Sequence, residues 1–385
     1  MNALSREELL RYSRHLALED FGVDAQLKLK KARVLVVGAG GLGSPVLLYL
    51  AAAGVGKIGI ADFDKVEISN LQRQVIFTVS DIGKNKAKAA EERLGQFNTN
   101  ISIESHSIKL SAVNVMEVLE QYDLAVDGTD NFPTRYLMND ACVLQQKPLV
   151  YGSILRYEGQ VAVFNFKKSD GSFSSNYRDL FPQPPDAGSV QNCEQAGVIG
   201  VLPGMIGTMQ ANEVIKIITG VGEPLQDKLL LLDAQTMEVR IMHLHNQQAG
   251  KNIKGLIDYE DFCGISEKKG KYLAKVKNTV MKEITVQELK ELKDSNADFQ
   301  LIDVREPHEY DICNLGGELI PMAEIPSSVD KISRDKKVIV HCRSGKRSGE
   351  MVLWLEKNEG FTNLFNLKGG VQAWAKEIDP EMPIY

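Results

Sequence analysis

The sequence predicts an α/β protein made of two such units, and three observations predict it. Strand-like and helix-like segments alternate from Arg33 to about Arg240; a G-x-G-x-x-G loop (Gly38, Gly40, Gly43) follows the first apolar strand; and the alternation resumes at Met281 after a polar stretch. Such alternation is the pattern of a parallel sheet with helices on its faces.

The elements follow in order. "MNALSREELLRYSRHL" mixes charges at helical spacing and lacks the apolar region of a leader. "RVLVVGAGG" reads as a buried strand entering a loop, "GSPVLLYLAAAG" as a helix, "KIGIAD" as the next strand and "DLAVDGTD" as another. Each strand ends in Gly or Asp, so functional loops are expected at strand C-terminal ends. Between about Asn246 and Lys277 no period is sustained among Lys, Gly and polar residues, which reads as a linker. The expected organisation is therefore a first domain over 1–245, a linker over 246–280 and a second domain over 281–385. In the second, "ITVQELKEL" is a short helix, "FQLIDVRE" and "KKVIVHC" are strands, and "GEMVLWLEKNEG" is a helix closed by Gly.

Composition removes several classes. A net charge of −6 over 385 residues argues against general nucleic-acid binding. The most apolar segment, "SPVLLYLAAAGVGKIGIA", is interrupted by Pro45, Gly54, Gly56 and Lys57, which argues against a membrane span and suits a cytoplasmic enzyme. The five cysteines (142, 193, 263, 313 and 342) form no C-x-x-C pair, so neither a disulfide framework nor a tetrathiolate zinc site is supported.

The glycine loop lets backbone amides approach phosphate, and Asp62, ending the next strand, can accept from ribose hydroxyls. These fix a nucleotide, not a reaction, and fit a nicotinamide oxidoreductase equally well. The surroundings decide. "DFDKVEISNLQRQ" supplies Asp64, Asn70, Gln72 and Arg73, "DIGKNKAKAA" supplies Lys84 and Lys86, and "VDGTDNFPTRY" supplies Asp127, Asp130 and Asn131. Hydride transfer needs no such collection. Transfer of a nucleotide to a carboxylate does, because cations must hold the leaving pyrophosphate and a carboxylate must place magnesium.

In "VIVHCRSGKRSG" an apolar strand delivers Cys342 into a loop of Arg343, Ser344, Gly345, Lys346 and Arg347, with a helix expected to begin near Ser348. Basic neighbours and a helix N-terminus favour thiolate over thiol. Tyrosine phosphatases place five residues between Cys and Arg. Here four intervene, and the smaller ring of amides suits a persulfide sulfur better than a phosphate.

"RYSRH", "VLVVGAGGLGSPVLLYLAAAGVG", "NLQRQ", "DIGKNKA", "DGTDNFPTRYLMNDAC" and "GVLPGMIGTMQANEVIK" resemble the MoeB/ThiF family, over about residues 5–245. The family has a Rossmann-like nucleotide-binding fold and adenylates the C-terminal glycine of small ubiquitin-like sulfur carriers that end in Gly-Gly. The resemblance implies ATP as substrate, with Gly41 against phosphate, Asp62 on ribose, Asn70, Arg73 and Lys86 on the triphosphate, and Asp130 carrying magnesium. It also implies a homodimer, with Arg14 of "RYSRH" reaching the partner's ATP site, and makes Cys193 a second functional thiol. Relatives hold a structural zinc with two C-x-x-C pairs; here Asn176 and Asp179 stand at the first pair and the second is missing, so no zinc is expected. A replacement from Cys263, His243, His245 and Asp179 has irregular spacing.

"LIDVREPHEY", "HCRSGKRSG" and "NLKGGVQAW" resemble a rhodanese, over about residues 281–385, with the Cys342–Ser348 loop as its persulfide cradle. One departure is "CNLGGELIP" at Cys313–Pro321, which leaves the docking of that segment open; Asp303 and Arg305 read as a structural ion pair and Cys313 as a packed thiol. Together the resemblances imply adenylation of a carrier followed by sulfur transfer from a Cys342 persulfide to give a thiocarboxylate, with thiosulfate or a cysteine desulfurase persulfide as donor. Molybdopterin synthesis is the expected pathway. The alternative is a thiamine or tRNA-thiolation carrier with a rhodanese domain that only binds or regulates.

Overall fold

The computed structural model describes residues 3–185, 197–245, 249–264 and 281–383. The chain divides into two compact units, Met1–Tyr272 and Leu273–Tyr385. No helix among the described residues is long and apolar enough to cross a membrane.

In the first unit α1 (Arg6–Arg11), α2 (Ser13–Leu16) and α3 (Gly22–Lys31) precede an alternating series. It runs β1 (Arg33–Val37), α4 (Gly43–Ala53), β2 (Lys57–Ala61), α5 (Lys86–Phe97), β3 (Ser102–His106), α6 (Val115–Glu120), β4 (Leu124–Asp127), α7 (Phe132–Leu144) and β5 (Leu149–Leu155). There follow β6 (Glu158–Phe164), α8 (Tyr177–Leu180), α9 (Val201–Thr219), β7 (Lys228–Asp233) and β8 (Glu238–His243). The sheet order is β3-β2-β1-β4-β5-β6-β7-β8, parallel from β3 to β5 and antiparallel beyond. Both faces of the inner parallel strands are covered, so β1, β2 and β4 are largely apolar runs rather than alternating ones, while β3 at the edge (SIESH) is only half-buried. α4 is apolar nearly all round because it lies between that sheet and α9. Asn85 and Asn131 cap α5 and α7, each accepting an N–H three residues on.

The stretch read as a linker is partly folded. Residues 249–264 form a 3₁₀ turn, Ala249–Asn252, and α10 (Tyr259–Phe262), and they bury Tyr259 and Cys263 in the core beneath α7. The anchor is polar. Asp140 accepts a forked pair from Arg178 at 2.8 and 2.7 Å and a third bond from the Tyr259 hydroxyl at 2.7 Å. The Arg178 guanidinium also lies 4.9 Å from the Tyr136 ring and 4.8 Å from the Phe262 ring. Asn176 and Asp179, at the position of the relatives' first thiol pair, close a capping box around α8, and Asn139 accepts from Tyr177 N at 2.7 Å. These residues do not fit zinc: the carboxylate and amide oxygens are spent on backbone, amide and guanidinium groups, and among the described residues no cluster of His, Cys, Asp and Glu suited to a metal joins them.

The second unit runs β9 (Glu283–Ile284), α11 (Val286–Asp294), β10 (Phe299–Asp303), α12 (Pro307–Ile312), β11 (Glu318–Leu319), β12 (Lys337–His341), α13 (Lys346–Glu359), β13 (Leu364–Leu367) and α14 (Gly370–Glu377). Its sheet, β11-β10-β12-β13-β9, is parallel throughout, with an apolar cluster on each face. The Cys313–Pro321 segment docks despite its unusual sequence. Arg305, wholly buried, forks onto Asp303 at 2.9 and 2.6 Å and donates to the Cys313 carbonyl at 2.7 Å, while β11 pairs with the end of β10.

Two measurements check the polar anchor of the first unit. Incubation with EDTA is expected to leave its melting temperature unchanged, whereas Arg178→Ala, which strands a buried carboxylate, is expected to cost about 3 kcal/mol in urea unfolding. A large EDTA-induced drop would show a metal in this segment.

Candidate active sites

The first site is a cleft where β1, β2 and β4 end side by side. Gly38, Gly40, Gly41, Asp62, Asp64, Arg73, Lys86, Asp130 and Asn131 all line it. Gly43 does not; it makes the loop possible. A Cβ there would lie 1.9 Å from the Gly38 carbonyl oxygen, so the helix start can approach the strand end only without a side chain. The Ser44 amide donates to the Gly40 carbonyl at 2.9 Å and Pro45 has no N–H, so it is the loop residues Gly40, Gly41 and Leu42, with the positive end of the α4 dipole behind them, that line the cleft.

Asp62 is buried. One oxygen accepts from Ala39 N at 2.8 Å, the other from Asp64 N at 2.9 Å, which fixes the carboxylate between the two loops. Burial pushes its pKa up, and the Lys86 charge opposes that shift. Lys86 itself, at the start of α5, is buried with its ammonium 3.4 Å from Asp64 Oδ2. Arg73 lies over the glycine loop and donates to the Ser69 carbonyl at 3.0 Å.

Two expected residues stand elsewhere. Asn70 does not line the cleft: its Oδ1 accepts from Glu67 N at 3.1 Å and its carbonyl from Arg73 N at 3.0 Å, so it shapes the turn that carries Arg73. Arg14 lies exposed on α2, away from its own chain's cleft. Cys193 lies outside the described residues.

The cleft also holds cations that sequence reasoning missed. Arg135, one turn beyond the Asn131 cap on α7, is buried, lies 5.7 Å from both the Phe132 and Tyr151 rings and donates to Thr129 O at 3.2 Å. Its place four residues after a cleft residue was a usable signal. Lys109 follows β3 and pairs with Glu260 of α10 at 2.5 Å, and no motif marked it. Phe63, Ile108 and Leu110 give the cleft an apolar end, suited to a base.

The second site lies at the end of β12. Cys342 is 1% exposed, and the helix after it starts two residues earlier than expected, at Lys346. The start is set by Gly345, whose φ of 86° lies in the left-handed region. The carbonyls of Cys342 and Arg343 accept from Val371 N and Gln372 N at 2.9 and 3.0 Å, which holds the loop's curvature from beneath. Ser344 and Lys346 are exposed.

Arg347 differs from expectation. Its guanidinium forks onto Glu309 of α12 at 2.7 and 2.6 Å, so it braces the loop's far end against the β10 side rather than standing as a cation kept for sulfur. Beside the sulfur stands Ser348, whose Oγ lies 3.4 Å from Cys342 Sγ.

The ThiF family model matches residues 12–253, and the rhodanese-like domain model matches 285–377. The chain is 46% identical, over its full length and 97% of the relative, to a protein of Mycobacterium tuberculosis named probable adenylyltransferase/sulfurtransferase MoeZ. It is 41% identical, over its full length and 91% of the relative, to adenylyltransferase and sulfurtransferase MOCS3 of Aedes aegypti. Among solved structures, PaaA (TM-score 0.54, 24% identity, 63% of this chain and 76% of that one) shares the fold. So does E. coli MccB crystallised with ATP (TM-score 0.52, 24% identity, 61% and 72%).

His341, beside the candidate nucleophile, gives a pH test. Both ring nitrogens are buried without a hydrogen-bond partner, and burial pushes the pKa down to about 4, with Asp303 at 3.8 Å opposing the shift. Between the ordinary value of 6.5 and about 4, the unfolded chain therefore binds a proton that the folded one refuses. Stability of this unit is expected to fall as pH drops through that window, by about 3 kcal/mol in all. Urea unfolding of His341→Met should lack this part of the slope; parallel pH profiles for both proteins would refute it.

Proposed function

Because the chain belongs to the ThiF family and is an adenylyltransferase and sulfurtransferase, we propose that it activates the C-terminal glycine of a small ubiquitin-like sulfur carrier ending in Gly-Gly and then replaces one carboxylate oxygen by sulfur. The observation that carries the reading is the cleft itself. Arg73, Lys86, Lys109, Arg135 and Asp130 line one cleft with the glycine loop, a set of charges suited to a polyphosphate whose charge grows as it leaves. A nicotinamide site has no use for it.

In the first step a carrier carboxylate oxygen attacks the α-phosphorus of ATP, and the bond to pyrophosphate breaks. Asp62 holds the ribose, the glycine loop before α4 and Arg73 meet the phosphates, and Lys86 follows the charge onto the leaving group. Asp130 offers the hard carboxylate oxygen that magnesium takes, and the ion, when bound, neutralises phosphate charge. Separately, the Cys342 thiolate attacks the outer sulfur of thiosulfate, or of a desulfurase persulfide. A new S–S bond forms and sulfite, or the desulfurase thiolate, leaves with the electron pair.

The outer sulfur of the Cys342 persulfide then attacks the acyl-adenylate carbonyl and expels AMP, giving an acyl disulfide. A second thiol, for which Cys193 is the candidate, attacks Cys342 Sγ and releases the thiocarboxylate; the resulting disulfide is reopened by a thiol reductant. Molybdopterin synthesis is the pathway we favour, a homodimer the assembly, with Arg14 serving the partner's site, and the cytoplasm the location.

The test is the intact mass of a candidate carrier after incubation with Mg-ATP, thiosulfate and a reductant. The wild type is expected to exchange oxygen for sulfur, Cys342→Ala to stop at the adenylate, and Lys86→Ala to slow pyrophosphate release on the order of 10²-fold. If Cys342→Ala yields the same thiocarboxylate, the rhodanese unit only binds or regulates.

A further inference from the structure

A buried hydrogen-bond chain approaches the Cys342 sulfur from β9. Ser348 is wholly buried, with Oγ 2.7 Å from Asn366 Oδ1 and 3.4 Å from Cys342 Sγ. A hydroxyl owns one hydrogen and can give it to only one of these acceptors. Asn366, 3% exposed, stands on β13 opposite Val340 and reaches Glu283 Oε1 on β9 with its Nδ2, at 3.5 Å.

Glu283 orients the amide. An ionised carboxylate only accepts, so it draws the NH₂ group toward itself and turns Asn366 Oδ1 to Ser348. The Ser348 hydrogen then lies on Asn366, and an Oγ lone pair is left to accept the thiol hydrogen of Cys342. When Cys342 loses its proton, the same hydrogen is wanted by the sulfur, because a donor to a thiolate makes a charge-assisted bond. Giving it up costs the short bond to Asn366. Once an outer sulfur is attached, the negative charge moves off Sγ and the Ser348 hydrogen can return to Asn366.

We propose that Asn366, oriented by Glu283, is a positioning residue that competes with the Cys342 sulfur for the single hydrogen of Ser348, and so sets the nucleophilic reactivity of that sulfur. The inference rests on the reading of Cys342 as the sulfur-carrying nucleophile. It predicts opposite effects from two changes on one chain of contacts. Asn366→Asp strengthens the acceptor and holds the hydrogen away from sulfur. Glu283→Lys, at an exposed position that does not threaten folding, replaces the acceptor by a donor, draws Asn366 Oδ1 to itself and leaves Nδ2 to donate to Ser348 Oγ, which frees the hydrogen for sulfur.

The experiment uses the full chain and two readouts: iodoacetamide alkylation of Cys342, followed by mass of its peptide, and the single-turnover burst of sulfite from thiosulfate. A hydrogen bond of this kind corresponds to about fivefold in rate. Glu283→Lys is therefore expected to alkylate about fivefold faster. Asn366→Asp is expected to be slower by a similar factor. Both differences should vanish in a Ser348→Ala background and persist with Ser348→Thr, which keeps the hydroxyl. Differences that survive in Ser348→Ala, or a Glu283→Lys protein indistinguishable from wild type, would overturn the proposal, since loosened packing or a change of surface charge needs no hydroxyl. If the alkylation pattern holds while thiosulfate yields no sulfite burst, the relay stands and thiosulfate falls as the sulfur source.

Discussion

Close approach of backbone to backbone at the end of β1 is the constraint on which the first unit depends. A Cβ at Gly38 would meet the Gly128 carbonyl oxygen at 2.8 Å, and one at Gly43 would overlap the Gly38 carbonyl. These contacts bring the end of β4, the end of β1 and the start of α4 to one place. Everything the cleft does is hung from that junction. The loop after β1 receives the Asp62 carboxylate from β2, α7 springs from just beyond Gly128, and Gln210 of α9 crosses to the Asp127 carbonyl at 2.8 Å, sealing the junction from the far side. Displaced by a side chain's width, the strand ends would no longer present their cations to one phosphate chain.

The second unit solves a different problem with the same parts. A buried parallel strand, a glycine and a helix that no side chain caps recur at Cys342, Gly345 and Lys346. In the first unit the glycine loop before the helix lines an open cleft together with several cations. In the second the loop is small, its reactive atom is almost wholly covered, and its strongest local ion pair, Arg347 with Glu309, works as a brace. A polyphosphate needs room and neutralisation; a single sulfur needs enclosure and a fixed ring.

The α/β class, the glycine loop and the cysteine loop were legible because each is a local pattern: an apolar run, a break, then a helix-forming stretch. What escaped was non-local. Tyr259 meets Asp140 across 119 positions, so a polar stretch without period proved to be folded onto α7. Lys109 reaches the cleft from a loop with no distinguishing composition. Arg347 has the residue type expected beside a thiolate, yet Glu309, 38 positions earlier, claims it. β8 is exposed at every position although Val239 and Ile241 alternate with Glu238 and Arg240, and its pairing with β7 places it in the sheet. The turn carrying Arg73 depends on Asn70 through backbone and amide bonds that a motif match records only as a retained residue.

The Asp140–Arg178–Tyr259 anchor has a chemical consequence. A zinc centre held by four thiolates is itself a soft nucleophile, open to capture by sulfane sulfur and to oxidation. An enzyme that handles persulfides carries such a centre at some hazard. Here carboxylate, guanidinium and phenol do the fastening, and the nearby Cys263 is kept a thiol by burial, which pushes its pKa up to about 11. This corner of the fold is therefore fastened by groups that sulfane sulfur does not attack, and Arg178 and Tyr259 hold it without drawing on a thiol.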